Sequence, residues 1–367
     1  MPHAPALPDR FSIEETAPAD SRSHIRFILS RGAGKGMDRS GAANELIMEI
    51  LRVYPQATHS TVGMSAEECG DVTISLTYSE HDVYDLAHEW DEMWGSSGVV
   101  YIAGGDGSVN EVASALAGKA CAFGVIPMGT GNDFARGLYG PKISLKLAVS
   151  LIEKTATAQF GPIDLLRADA EEESDVLDEL TSSHALHHVP EGTPTYCINV
   201  FSLGYDTQVL LEALRMTERV PAVGRFAYLA AAARTGTWDK GTPLRIEATS
   251  SEGESVEVEQ RCAAMIVGNN AYYGGGYNPL PEAVLDDGLA DALYVDDLKF
   301  ASFVHMIQKY RRGTHTKDPR AHFLRTDRIR IERTDGEDVL WNVDGVVHRS
   351  VAVEISVVPG ALTLARL

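Results

Sequence analysis

Two glycine-rich segments of this chain carry an acidic residue where a helix is expected to begin. The first runs from Val99 to Val112 as VVYIAGGDGSVNEV and has Asp106 inside its glycine turn. Such a turn after a buried strand offers free backbone N–H groups and the positive end of a helix dipole, which together bind phosphate. A carboxylate there is explained if it approaches a Mg²⁺ ion that accompanies the phosphates. The segment therefore predicts a phosphate-binding turn in which the Asp106 carboxylate faces the Mg²⁺ ion.

The same segment has a second interpretation that needs no ligand. Ser108 and Glu111 match the S-x-x-E capping box, so the helix has a local reason to begin here. An ordinary tight turn before a capped helix would also contain the glycines. The tight-turn interpretation would not account for Asp106. The sequence nevertheless predicts that the capping box forms.

A second segment repeats the design of the first. It runs from Phe123 to Arg136 as FGVIPMGTGNDFAR, with Asp133 at the expected start of a helix. Two such turns on neighbouring strands would meet at the carboxyl edge of a parallel sheet, where nucleotides bind. The repetition favours the nucleotide-binding interpretation over a chance turn.

The elements around these turns indicate an α/β fold class for the first part of the chain. Strands at 25–29, 72–77, 99–103 and 123–127 alternate with helices at 41–52, 84–93, 109–116 and 133–138, which predicts a parallel sheet covered on both faces. Later strands follow one another with few helices between them, which predicts a mostly antiparallel β-sandwich domain. They are expected at 163–168, 196–203, 244–249, 255–260, 263–268, 290–294, 328–333 and 351–358, with helices at 225–234 and 300–311.

These patterns predict how the chain is organised. We expect a disordered tail over residues 1–23, a nucleotide-binding domain over 24–160 and a β-rich domain over 161–349. An acidic stretch at 169–195 has almost no periodicity and is expected to be a flexible hairpin insertion. The last residues, about 350–367, are expected to pack back onto the first domain.

Composition limits the possible partners. The chain has 367 residues and a formal charge of -20, which argues against nucleic acid as a partner. The four cysteines show no metal or redox spacing, which suits a reducing cytoplasm. No apolar run approaches the roughly 20 residues of a membrane-crossing helix. Any contact with a membrane would therefore be peripheral, at its inner face.

The two glycine segments together resemble a known family. GGDGS at Gly104–Ser108 and GTGND at Gly129–Asp133 are similar to the signature pair of the diacylglycerol kinase catalytic domain. That family includes bacterial soluble lipid kinases and sphingosine kinases, and it is more distantly related to NAD kinases and 6-phosphofructokinases. The resemblance implies an enzyme that uses ATP and Mg²⁺ to phosphorylate a lipid hydroxyl, foremost that of diacylglycerol, giving phosphatidic acid.

The resemblance also implies roles for individual residues. Asp106, Asp133 and Asp344 would be catalytic, and Asp164 would join their network. Thr77 would contact ATP, and the loop SRGAGKG at Ser30–Gly36 would be a nucleotide loop that lacks the family's Asn-Pro. The residues expected to bind ATP are Gly34, Lys35, Thr77, Gly104, Gly105, Asp106, Gly107, Ser108, Asn110, Glu111, Gly129, Thr130, Gly131 and Asn132.

A structural Mg²⁺ site is implied by the segment PEAVLDDGL at Pro281–Leu289. By position, its ligands would be the Val284 carbonyl, the Asp287 carboxylate and the Leu289 carbonyl. Oxygen ligands with one carboxylate suit a hard cation. A β-turn built from Asp-Asp-Gly explains the same residues without a metal, and both interpretations remain open.

One position departs from the family's pattern. Its Asp-Gly-Glu motif reads Asp344-Gly345-Val346 here, and the family's glutamate is assigned as the base that takes the hydroxyl proton. Positioned base catalysis contributes 10²–10⁴-fold, so losing it slows phosphoryl transfer without abolishing it. Asp344 is one replacement, directly or through a water, and Asp286 and Asp287 are others.

Two surface features bear on membrane contact. Tyr272–Tyr277 is either a mobile aromatic loop that admits acyl chains or a packed turn. A basic stretch either faces anionic lipid or balances nearby acids, and the second interpretation is favoured. It contains Lys309, Arg311, Arg312, Lys317, Arg320, Arg325, Arg328, Arg330 and Arg333.

Three hypotheses for function follow. The first is a lipid kinase and the second, ranked well below, is an NAD kinase that shares the first glycine motif. The third is a nucleotide- or lipid-binding regulator that lost its base at Val346. Edge strands of the β domain offer a route to a homodimer.

Overall fold

The N-terminal half contains a five-stranded parallel sheet. Its strands are His24–Leu29 (β1), Thr58–His59 (β2), Val72–Leu76 (β3), Gly98–Gly104 (β4) and Ala122–Pro127 (β5). Their spatial order is β5-β4-β1-β3-β2, so β4 and β3 flank β1 on opposite sides. The chain leaves β1 in one direction, and after β3 it crosses over to β4 on the other side. A crevice at such a switch point, at the carboxyl ends of the strands, is where α/β proteins bind ligands.

Helices cover both faces of this sheet. Ala42–Val53 (α1) and Leu145–Lys154 (α5) pack on one face, while Asp82–Trp94 (α2) and Asp106–Leu116 (α3) pack on the other. The short helix Asp133–Tyr139 (α4) follows β5. Alternate residues of each strand point to opposite faces. In β1, Phe27 belongs to the core under α1 and α5, and Ile28 belongs to the core under α2 and α3.

The C-terminal half is built mainly from antiparallel strands. These strands are Gln159–Glu171 (β6), Thr195–Cys197 (β7), Val200–Gly204 (β8), Thr242–Thr249 (β9), Ser255–Gly268 (β10), Ala290–Asp296 (β11), Ala321–Thr326 (β12), Arg328–Arg333 (β13), Val339–Val343 (β14), Val346–Ser350 (β15) and Ala352–Arg366 (β16). Among the residues that the structure describes, two helices accompany them, Tyr205–Arg219 (α6) and Phe300–Tyr310 (α7). Phe201, Trp341 and Ile329 are fully buried in the core of this half.

The last strand joins the two halves. β16 pairs antiparallel with β13 through its first residues and with β6 along most of its length. Near its end, Thr363 and Leu364 pair in parallel with Ala122 and Phe123 of β5. The C-terminal residues therefore extend the N-terminal sheet and connect it to the antiparallel strands.

This computed structural model describes residues 22–30, 41–79, 81–173, 192–219, 241–249, 255–298 and 300–367. The predicted helix at 225–234, the ATP-loop residues Gly34 and Lys35, and most of the predicted tail and insertion lie outside the described residues. Within them, no helix is both long enough and apolar enough to cross a membrane.

The predicted fold class is confirmed, with local differences. The predicted strand at 196–203 is two strands, β7 and β8, and the strands predicted at 255–260 and 263–268 are one strand with a bulge between Cys262 and Ala264. A bulge adds an unpaired residue without ending the strand, so it disturbs the sequence pattern more than the structure. The sequence prediction also missed α5, α6, β2, β12, β14 and β15.

Candidate active site

The two glycine turns lie against each other. A Cβ added to Gly129 would lie 2.4 Å from the Cα of Gly105, so the Gly105 backbone leaves no room for a side chain on Gly129. The N–H groups of Met128 and Gly129 donate to the carbonyl of Gly104 at 2.8 and 3.1 Å. This contact fixes the start of α3 next to the start of α4.

Asp106 is the first residue of α3, yet its carboxylate accepts a hydrogen bond from α4. Its Oδ1 accepts from the Phe134 N–H of α4 at 3.1 Å. A Cβ on Gly131 would lie 2.6 Å from its Oδ2, so the Gly131 backbone lies directly beside the carboxylate. Burial raises the pKa of Asp106, although the N–H groups of Phe134, Asp133 and Asn132 act to lower it.

Asp133 connects α4 to a turn of the antiparallel half. Its two carboxylate oxygens accept from the N–H groups of Gly275 and Gly276, each at 2.7 Å. Burial, and secondarily the charge of Asp106, raise the pKa of Asp133 to about 6. Tyr273 and Tyr277 exchange backbone hydrogen bonds across this turn, at 2.9 and 3.0 Å. Of the two interpretations of Tyr272–Tyr277, the packed turn is confirmed.

Asp344 reaches the same region from the hairpin between β14 and β15. With φ of +47° it precedes Gly345 at +98°, and these two residues form the whole loop. Asp-Gly suits a two-residue hairpin because both positions need positive φ. Its carboxylate accepts from the N–H groups of Val200 at 3.0 Å and Ile198 at 3.1 Å. Burial is the main cause that raises the pKa of Asp344 to about 7, and the charge of Asp106 adds to it.

The side chain of Asn110 ties this hairpin to α3. With its amide nitrogen facing the acceptors, Asn110 donates to Asp344 Oδ2 at 3.1 Å and to the Tyr196 carbonyl at 3.3 Å. The predicted residue Asn110 thus contacts a predicted catalytic carboxylate. A Cβ on Gly131 would lie 2.6 Å from Asp106 Oδ2 and 3.6 Å from Asp133 Oδ2, and the charge of Asp106 contributes to the raised pKa values of Asp133 and Asp344, so the three predicted catalytic carboxylates lie in one region.

The predicted capping box is wrong. α3 begins at Asp106 with Gly105 as its N-cap, which places Ser108 inside the first turn with no capping bond. The Ser108 hydroxyl instead donates to the Ser30 hydroxyl at 2.9 Å, which joins the end of β1 to α3. Glu111 is buried, its Oε2 has no hydrogen-bond partner among the described residues, and burial raises its pKa to about 8.

The remaining predicted nucleotide residues differ in exposure. Thr77 is buried just after β3, and its N–H donates to the Leu29 carbonyl at 3.2 Å. Asn132 has φ of +55° and exchanges two side-chain hydrogen bonds with Gly129, each 2.8 Å long, so it shapes the second turn. Thr130 is exposed. Ser30, Thr77 and the two turns follow the carboxyl ends of β1, β3, β4 and β5, at the switch point of the sheet.

The segment predicted to hold a structural Mg²⁺ forms a turn. Asp287 Oδ1 accepts from the Leu289 N–H at 3.0 Å, and its Oδ2 pairs with Arg325. Asp164 accepts from the N–H groups of Gly288 at 2.6 Å and Gly360 at 2.8 Å. Asp164 thus holds this turn, and its part in the active-site network stays a prediction. Ligation by Val284, Asp287 and Leu289 remains a prediction.

The sequence interpretation missed Asn270. This buried side chain donates to the Asp133 carbonyl at 3.1 Å and to Asn199 Oδ1 at 2.7 Å. A Cβ on Gly137 would lie 1.8 Å from Asn270 Oδ1, so α4 packs directly on it. The sequence did contain a signal, because two asparagines directly follow the apolar residues of β10.

Comparison with known proteins defines the class. Residues 55–168 match the model of the diacylglycerol kinase catalytic domain, and residues 199–366 match that of the YegS C-terminal NAD kinase beta sandwich-like domain. A kinase catalytic domain followed by this sandwich is the architecture described above.

Individual relatives assign the family. The chain is 35% identical to a "Probable lipid kinase YegS-like" of Xanthomonas euvesicatoria, over 282 residues that cover 75% of this chain and 74% of that protein. It is 27% identical to a diacylglycerol kinase of Staphylococcus aureus over 329 residues, which cover 88% and 86% of the two chains. This chain belongs to the diacylglycerol kinase and YegS-like lipid kinase family, a family of phosphotransferases.

A solved structure supports the fold. A diacylglycerol kinase from Bacillus anthracis matches with a TM-score of 0.59 and 20% identity, covering 93% of this chain and 96% of the other. At this identity the match concerns the fold, and it agrees with the α/β and antiparallel halves described here.

Proposed function

We propose that this protein transfers the γ-phosphate of ATP to the hydroxyl of a lipid, foremost diacylglycerol, and forms phosphatidic acid. The observation that carries the proposal is the convergence of Asp106, Asp133 and Asp344 beside two glycine turns at the switch point of the sheet. The names of the relatives support the lipid as acceptor. Family membership alone does not select the lipid.

The ATP phosphates would bind at the start of α3. α3 begins at Asp106 with Gly105 as its N-cap, and the first N–H groups of this helix carry the positive end of its dipole. Thr77 and Thr130 provide hydroxyls on either side of the turns. The position of this helix start at the switch point supports ATP as the bound nucleotide.

The residues present fit a Mg²⁺ ion. Asp133 is buried and Asp106 is half-buried; burial is the main cause that raises the pKa of each carboxylate, and the charge of Asp106 adds to it at Asp133. A hard cation between such carboxylates relieves this cost. Among the described residues, no group of three or more His, Cys, Asp or Glu side chains forms a metal site, so phosphate and water oxygens would complete the shell. When bound, the ion would neutralise charge on the transferred phosphoryl group.

Asp344 is proposed as the acceptor of the hydroxyl proton. Val346 occupies the position of the family's glutamate and cannot accept a proton. A group with a pKa of about 7 is half deprotonated at neutral pH, which suits a general base. The backbone N–H groups of Ile198 and Val200 hold the Asp344 carboxylate in place.

The regulator hypothesis rests on Val346 alone. It predicts ATP binding without turnover, and Val346→Glu would then restore phosphate transfer. The NAD kinase hypothesis predicts NADP formation from NAD and ATP, which a single spectrophotometric assay detects.

The proposal is tested by phosphate transfer from radiolabelled ATP to a panel of lipids in mixed micelles, with and without Mg²⁺. We expect labelled phosphatidic acid from diacylglycerol, and a loss of at least about 100-fold in Asp106→Asn. Asp71→Asn is the matched control, because that carboxylate is exposed and contacts only His24 at 3.5 Å among the described residues. Transfer that persists in Asp106→Asn would refute the assigned site, and ATP binding without transfer to any lipid would favour the regulator.

A further inference from the structure

The basic stretch from Lys309 to Arg333 is largely neutralised by acidic side chains. Six of its nine cations form ion pairs, which confirms for them the interpretation that they balance nearby acids. Lys309 and Arg320 both pair with Asp318, at 2.7 and 2.8 Å. The others pair with Asp287 and Asp291 (Arg325), Glu354 (Arg328), Glu171 and Glu332 (Arg330) and Asp335 (Arg333).

Three cations differ from this group. Arg311, Arg312 and Lys317 are exposed, and no ion pair joins them to a carboxylate in the part of the chain that the structure describes. Arg311 and Arg312 follow the last residue of α7, and Lys317 ends the short 3-10 helix at His315–Lys317. They concentrate positive charge on one end of α7.

This end of α7 contacts the turn that binds the active-site carboxylate. The Asn278 N–H donates to the Tyr310 carbonyl at 3.2 Å, and His315 Nε2 donates to the Pro279 carbonyl at 2.7 Å. Residues 278 and 279 directly follow the turn whose Gly275 and Gly276 N–H groups bind Asp133. The three cations therefore lie next to the turn through which the antiparallel half contacts the candidate active site.

Two tyrosines complete this surface. Tyr273 and Tyr277 are half-buried and pack against the apolar cluster that contains Tyr310 and Met306 of α7. Tyrosine is enriched where proteins meet the interface of a bilayer, since its ring is apolar and its hydroxyl is polar. We name Tyr273, Tyr277, Arg311, Arg312 and Lys317 the basic–tyrosine face.

We propose that the basic–tyrosine face docks on an anionic lipid bilayer and presents the candidate active site to its lipid substrate. The inference rests on the proposed lipid kinase function. Charge supports this partner, because a chain with a net charge of -20 is repelled by an anionic surface unless a local group of cations faces it. Position supports it too, because the turn that carries both tyrosines is bonded to Asp133.

The position of two of these cations has a competing explanation. Cations near a helix C-terminus stabilise the helix dipole, and this alone could account for Arg311 and Arg312. It does not account for Lys317 or for the two tyrosines. The two explanations differ in the measurement they affect, since the dipole effect changes thermal stability and docking changes the affinity for vesicles.

The test measures vesicle binding without ATP or diacylglycerol. The full chain is sedimented with vesicles of equal parts phosphatidylglycerol and phosphatidylcholine, and with vesicles of phosphatidylcholine alone. We expect the triple variant Arg311→Gln, Arg312→Gln, Lys317→Gln to bind anionic vesicles about 100-fold more weakly, at about fivefold for each cation. Binding of the native chain should weaken in high salt, because salt screens exposed charges.

A charge-matched control separates local docking from net charge. Arg52→Gln, Arg167→Gln and Arg245→Gln together remove the same charge from exposed side chains that pair with glutamate or aspartate elsewhere. This control should bind anionic vesicles within about threefold of the native chain. Equal losses in both triple variants, or native binding that ignores anionic lipid, would overturn the docking proposal. Phosphate transfer in micelles is measured separately, so failure of docking and failure of the kinase proposal give different results.

Discussion

Replacing Asp344 tests the proton acceptor most directly. With a pKa of about 7, Asp344 is deprotonated in about 9% of molecules at pH 6 and about 91% at pH 8, so kcat/KM should rise about tenfold over that interval. The sign follows from the base role, because only the deprotonated carboxylate takes the hydroxyl proton. In Asp344→Asn this rise should disappear, and the rate at pH 8 should fall by about 10²–10⁴.

The assay is phosphate transfer to diacylglycerol in neutral mixed micelles, measured as a pH profile for the native chain and for Asp344→Asn. Asp344 also accepts hydrogen bonds from the N–H groups of Ile198 and Val200, so its replacement could disturb the fold. Circular dichroism therefore checks that the variant is folded. A variant that keeps more than about a tenth of the native rate would refute the base role. A slow variant with an unchanged pH profile would make Asp344 a positioning residue and would leave Asp133, with its pKa of about 6, as the titrating group.

Three further predictions concern the contacts that build the site. Asp133→Asn removes the negative charge that accepts hydrogen bonds from the Gly275 and Gly276 N–H groups, so hydrogen exchange at these two amides should become faster. The control Asp71→Asn should leave their exchange unchanged. Unchanged exchange in Asp133→Asn would contradict the contact. Gly129→Ala places a Cβ 2.4 Å from the Cα of Gly105 and should lower the free energy of unfolding by about 1–3 kcal/mol in urea. Gly70→Ala is its control, because the nearest atom to the new Cβ is the flexible Thr58 side chain at 3.1 Å and the nearest backbone atom is 3.8 Å away; an equal loss in both would refute the argument. Asp106→Asn should raise the Mg²⁺ concentration needed for half-maximal transfer. An unchanged Mg²⁺ dependence of its residual activity would show that Asp106 does not help to hold the ion.

Local sequence predicted the parts of the site that depend on local structure. A strand, a glycine turn and a helix start are recognisable because apolar periodicity and glycine act over a few residues. This accounts for β4 with α3 and β5 with α4, and for Asp106 and Asp133 as the carboxylates at their junctions. The hairpin at Asp344-Gly345 was missed although its Asp-Gly pair is a local signal for a two-residue turn.

Contacts between distant residues were decided by the tertiary structure. The capping box at Ser108 and Glu111 fits the local sequence but does not form, because the Ser108 hydroxyl bonds to Ser30 across the sheet edge. Asp164 lies in a strand that resembles the family, yet it holds a turn next to Gly288 and Gly360.

The sequence alone was enough to predict two strand–glycine turn–helix segments and the α/β and antiparallel organisation, since glycine geometry and residue periodicity are properties of short segments. The tertiary structure decided that Asp133 binds the amides of Gly275 and Gly276 and that Asp344 meets Asn110. It also decided which cations of the basic stretch are paired. These contacts join residues far apart in the chain, and their energies depend on burial and on neighbouring charges that exist only once the two halves have packed together.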